Sequence, residues 1–125
     1  MNINIINKIH YFYDECLQYQ FMGNTFAYVI YLNDLAMQWK NVDACQQEII
    51  GNEIEKIIIK LMDKISSSMI SIELINTFSD IIVTYMDQIS NDEKKIDELA
   101  NMFNKMNVTY KIPKDFEKEI FAMNI

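Results

Sequence analysis

Glycine and proline punctuate helices, and this chain has almost neither: two Gly and one Pro in 125 residues. Apolar residues recur every three to four positions along most of its length, so the spacing predicts an all-α chain. Half the residues are hydrophobic, 23% are charged and no low-complexity run interrupts them. That composition belongs to a folded globular protein, and the length suits one domain that buries its core without disulfides or metal. The expected architecture is therefore a single domain, 1–125, built as a compact bundle of about six helices.

The first helix is expected over residues 4–22, with Ile5, Ile9, Phe12, Tyr13, Cys16 and Gln20 inward and a stop at Gly23-Asn24. A second, over residues 25–40, is apolar on two sides. Phe26, Val29, Ile30 and Met37 lie on one side, and Tyr28, Leu32, Leu35 and Trp39 on the other, a pattern that predicts a central helix. Asp43 is placed to cap a third helix reaching Ser66, with an irregularity at Gly51-Asn52 and a stripe of Ile50, Ile54, Ile57, Ile58, Leu61 and Ile65. The fourth, over residues 71–89, has the clearest period: Ile75, Phe78, Ile82, Tyr85 and Ile89. Ser90 and Glu93 match a capping box opening a fifth helix to Asn107, with Ile96, Leu99, Phe103 and Met106 inward. Residues 108–112 read as an extended link, and Pro113 starts a last helix with Phe116, Ile120 and Met123 inward.

The uncharged stretch 16–33 is broken by Gln18, Gln20, Gly23, Asn24 and Asn33, too polar for a membrane span. The start MNINIINKIHYFYDE lacks the basic, apolar and small-residue regions of a secretory signal. The expectation is a cytoplasmic protein, with Cys16 and Cys45 as free, buried thiols. A net charge of −7, with every basic residue a Lys, argues against nucleic acid as a direct ligand. Affinity for phosphate backbones comes from cations, and the bidentate guanidinium fork is absent.

Little points to catalysis. His10 is the sole histidine, one turn before Asp14, and reads as a helix-surface residue. The chain has no Glu-x-x-His pairs, phosphate loop or nucleophile elbow, and Asp92, Glu93, Asp97 and Glu98 suit a helix start better than calcium. No enzyme activity, cofactor or metal is expected. The fourth helix is more informative: Glu73, Asp80 and Asp87 recur at seven-residue intervals and no Lys shares the helix. Elsewhere acids have basic neighbours, such as Glu53 with Lys56 and Asp63 with Lys60. One reading of the stripe is a solvated face; the other is a negative field that steers a basic partner. Tyr11, outward among Asp14 and Glu15, adds an aromatic anchor to the second reading.

In size, acidity, helicity and exposed Tyr among carboxylates (Tyr11, Asp14, Glu15; Glu73, Asp80, Asp87), the chain resembles the small acidic immunity proteins that bacteria pair with toxic nucleases. The paired-tyrosine helix of the colicin nuclease immunity proteins has no counterpart here. The resemblance implies a tight stoichiometric complex in which the negative surface covers a basic toxin domain. Other readings stay open: a viral or phage helical host-interaction inhibitor of the Bcl-2-like kind, although Trp39 is followed by Lys40-Asn41 rather than an Asn-Trp-Gly-Arg-like segment; or a structural subunit forming a homodimer through the second helix.

Overall fold

The computed structural model describes residues 1–111. Among them are five helices and no strand: α1 (Ile3–Gln18), α2 (Asn24–Trp39), α3 (Ala44–Ser66), α4 (Ile72–Gln88) and α5 (Glu93–Lys111). The last expected helix, from Pro113, lies outside the described residues.

Connections of four or five residues force successive helices to run antiparallel. Each helix packs on two neighbours, in the cyclic order α1, α2, α3, α5, α4 and back to α1. Up-down alternation thus leaves α3 and α5 parallel and every other adjacent pair antiparallel. The α1–α2 and α3–α4 connections meet at one end of the bundle, where Thr25 Oγ1 lies 2.9 Å from Ser68 Oγ.

The core fills the ring. Ile5, Ile9, Phe12 and Cys16 from α1 meet Leu74, Phe78, Ile82 and Tyr85 from α4, and Ile54, Ile58, Leu61 and Ile65 close the α3 side. Phe12 and Phe78 sit at its centre, ring centroids 5.2 Å apart and tilted by 37°. The α3 stripe is buried as its period predicts, with Ile50 half-buried, and the helix runs unbroken through Gly51-Asn52.

Four helix starts are closed by side chains that accept an otherwise orphaned N–H. Asn2 Oδ1 accepts from Ile5 N at 3.2 Å, Asp43 Oδ1 from Gln46 N at 2.9 Å, Ser71 Oγ from Leu74 N at 3.3 Å and Asp92 Oδ1 from Lys95 N at 3.1 Å. The fifth helix is therefore capped by Asp92 rather than Ser90. It also continues to Lys111, so residues 108–111 are helical instead of an extended link. Val108 and Thr109 lower helix propensity by only about half a kcal/mol each, too little to end a helix.

The first helix stops at Gln18, four residues before the expected end. Gln20 adopts a left-handed φ of 54°, Phe21 N donates to Cys16 O at 2.8 Å and Gln20 N to Leu17 O at 3.2 Å. This paired closure turns the chain and buries Phe21 in place of Gln20, which is exposed. Gly23 then precedes α2 as its cap, with φ 116° and ψ −173°, a region open to glycine alone. Gly23-Asn24 thus begins the second helix instead of ending the first.

α2 is not wrapped on both sides. Phe26, Val29, Leu32, Leu35 and Ala36 are buried, whereas Ile30, Tyr31 and Met37 face solvent. A helix with two ring neighbours keeps one side uncovered. Of the two thiols, Cys16 is buried as expected and Cys45, near the start of α3, is exposed. No described helix is long and apolar enough to cross a membrane.

Candidate protein-binding face

Adjacency of α1 and α4 brings two acidic sequence patterns together. Along α1, Tyr11, Glu15 and Tyr19 follow at one-turn intervals; along α4, Glu73, Asn76, Asp80, Val83 and Asp87 form the exposed side. The seam between them is tied by Thr77, whose hydroxyl donates to the Glu15 carboxylate and lies 3.0 Å from the Glu73 carbonyl.

Each proposed contact residue has a definite place. Tyr11 is 60% exposed. Its phenol pKa is pushed up, first by a hydrogen bond to Glu15 and then by that carboxylate's charge, as a hydroxyl leaning on an anion should be. Glu15 is half-buried and tied to Thr77, so it organises the seam as much as it faces a partner. Asp14 is exposed but turns toward α2, bordering a groove with His10 and Lys40. Glu73, Asp80 and Asp87 are exposed, and among the described residues none of them makes an ion pair.

Helix stability accounts for Glu73, which sits in the first turn where the macrodipole is positive. It does not account for Asp87. That carboxylate lies in the last turn, at the negative end, with no basic residue there. Such a placement costs about 0.3–1 kcal/mol at an exposed site.

The cations lie elsewhere. Lys56 pairs with Glu53 at 3.4 Å on α3, and Lys95 of α5 pairs with Glu55 of α3. Lys60 does not pair with Asp63: its Nζ lies 5.5 Å from the Tyr28 ring centroid, beside Lys64 at 4.9 Å. A ring face draws a cation from a sequence-adjacent acid because it also covers the apolar stem. Lysines thus concentrate on α3 and α5 and are missing from α4, which polarises the bundle.

A second feature crosses helices and escaped the sequence reading. His10 is half-buried, with Nδ1 2.6 Å from Oδ1 of Asn33, a residue of α2 only 8% exposed. Asn33 Nδ2 in turn donates to Met37 Sδ at 3.9 Å, and Lys40 Nζ to Asn7 Oδ1 at 3.3 Å. His10 is therefore half of an interhelical polar clip, not a surface residue. The groove above it, about 360 Å³, is lined by His10, Tyr13, Asp14, Asn33, Met37, Lys40 and Asn41. That lining contains no Ser, Thr or Cys for a histidine to activate. The only advance signal was Asn33 itself, a polar residue within the apolar run of α2.

Among the described residues, no three His, Cys, Asp or Glu side chains converge as a metal ion needs. Comparison with protein-family models, with curated proteins and with solved structures finds no match.

Proposed function

We propose that this protein is a non-catalytic, protein-binding inhibitor whose α1/α4 face docks on a basic protein. In the immunity-type form of this reading, the partner is a nuclease-like toxin domain neutralised in a tight stoichiometric complex. The observation that carries it is the placement of Asp80 and Asp87: exposed, without an ion pair among the described residues, and for Asp87 at the helix end that disfavours it. Charge kept at a cost to the helix is charge suited to another task. Tyr11 beside Glu15 supplies an aromatic anchor next to that field.

The chemistry is steering followed by docking. Exposed carboxylates on a rigid rod raise the encounter rate with a cationic surface, and the gain falls once salt shortens the Debye length to about 8–10 Å. The test is affinity capture from the source cells with the wild-type chain and with Asp80→Lys/Asp87→Lys, at low and high salt. One basic protein held stoichiometrically by the wild type, released by salt and associating roughly tenfold more slowly with the variant, is the expected result. Equal association rates for both chains at low salt refute the acidic-face reading.

A further inference from the structure

The acidic face does not end in solvent. At the end of the bundle where the α1–α2 and α3–α4 connections meet, it runs into an open groove of about 480 Å³ between Tyr19–Met22 on one side and Met69, Ile70, Ser71 and Leu74 on the other. None of its lining residues is charged. Phe21 and Leu74 are buried beneath it, while Met69 at 91% and Met22 at 72% are the most exposed of the large apolar side chains at this end. Ile72, also exposed, stands next to Glu73, and Tyr19 is one turn beyond Glu15. The left-handed turn at Gln20 and the positive φ of Gly23 hold the Met22 rim outward, so the groove is a product of the backbone.

We propose that this groove takes the apolar side of a basic amphipathic helix whose cationic side lies along Glu73, Asp80 and Asp87. The inference rests on the acidic-face reading and adds what that reading lacks, an apolar anchor. Charges set the rate of encounter; desolvated apolar contacts set how long a complex lasts. Three observations select this occupant. The groove is uncharged, with apolar Phe21, Met22, Met69, Ile70 and Leu74 beside Gln20 and Ser71, and its neighbours are anionic, so a ligand must offer both apolar and cationic character side by side. Its rims carry two methionines, whose unbranched thioethers repack around differently shaped apolar knobs. The adjoining carboxylates repeat at seven-residue intervals along a helix, the spacing at which one side of a helix laid beside it repeats its cations.

The experiment uses the full chain with methyl-¹³C-labelled methionines and two probes. One is a peptide of leucine and lysine at amphipathic helical spacing, about 14 residues or four turns long. The other is an oligolysine of equal charge. The expected result is that the Met22 and Met69 methyl signals shift and saturate with the leucine/lysine peptide, and do not shift with oligolysine. Met69→Ser is expected to weaken peptide binding roughly tenfold while leaving oligolysine binding unchanged.

Peptide binding that depends on Asp80 and Asp87 but leaves Met22 and Met69 unmoved overturns the groove alone. Binding unaffected by Asp80→Lys/Asp87→Lys at low salt overturns the acidic-face reading, whatever the methionines do. Shifts of Met22 and Met69 on concentrating the protein by itself assign the groove to a second copy and also overturn the proposal.

Discussion

Replacing Phe78 with alanine probes whether the ring of helices closes on a true core. Phe78 is fully buried in α4 and its ring packs, tilted, against Phe12 of α1 with centroids 5.2 Å apart, so truncation removes a central group from the α1–α4 contact. Phe→Ala at such a site costs about 3–5 kcal/mol, the transfer term plus a cavity the neighbours only partly fill. Against a total stability of about 5–15 kcal/mol, that leaves a marginal domain. At about 4 °C per kcal/mol for a chain of this size, the melting temperature should fall by about 12–20 °C. Urea titration followed by far-ultraviolet circular dichroism measures it, with the slope unchanged if both chains unfold in one step. Val83→Ala, on the exposed side of the same helix, is the control and should stay within about 0.5 kcal/mol of wild type. A double cycle with Phe12→Ala should show coupling of about 0.5–1.5 kcal/mol from the ring pair. A loss below about 1 kcal/mol for Phe78→Ala would refute the packing, because no fully enclosed ring is that cheap to remove.

Three further outcomes are expected. Around the first turn, Gly23→Ala should cost about 1–3 kcal/mol although nothing crowds its Cβ, since the penalty is backbone strain; Gln20→Gly should gain about 0.5–1 kcal/mol, and thermal melts read both. Burial, reinforced by the charge of Glu15, pushes the Cys16 thiol from 9.0 to about 12, and burial, reinforced by Asp92, pushes Tyr85 from 10.0 to about 12. Both groups hold their protons more tightly when folded, so stability is intact below about pH 9 and declines between pH 9 and 12. Tyr85→Phe should flatten that decline without loss at neutral pH, because the buried hydroxyl it removes has no hydrogen-bond partner among the described residues; an equally steep alkaline limb would refute the assignment. With native protein, a thiol reagent should label Cys45 and spare Cys16, and Cys45→Ser should abolish labelling until denaturant is added.

Where sequence and structure agree, the information is local. The stripes Ile54, Ile58, Leu61 and Ile65 and Ile75, Phe78, Ile82 and Tyr85 repeat at the helical period, and any amphipathic helix must bury such a stripe. Asp43 caps as expected because its oxygen reaches an N–H three residues on, a geometry set within one turn. The departures have local causes as well. Glycine at position 23 looked like a stop, but a stop needs only one left-handed residue, and Gln20 takes that role while Phe21 pulls inward. Ser90 and Asp92 are both good caps, and it is Asp92 whose Oδ1 accepts from Lys95 N, three residues on.

The candidate site divides in the same way. The acid repeat on α4 and the outward Tyr11 are properties of single helices, readable from spacing. That they share one face is not, because it depends on α1 taking α4 as a neighbour in the ring. His10 with Asn33, Lys95 with Glu55 and Lys64 over Tyr28 are likewise contacts between helices, and no spacing along the chain encodes them. By itself the sequence determined helices, their buried stripes, the Asp43 cap and the sign of the charge, since each depends on residues within a turn or two. Only the tertiary structure decided which helices touch, which side of α2 stays bare and where the charged face meets an uncharged groove. Those outcomes come from burying five stripes at once, and no single stripe specifies its partner.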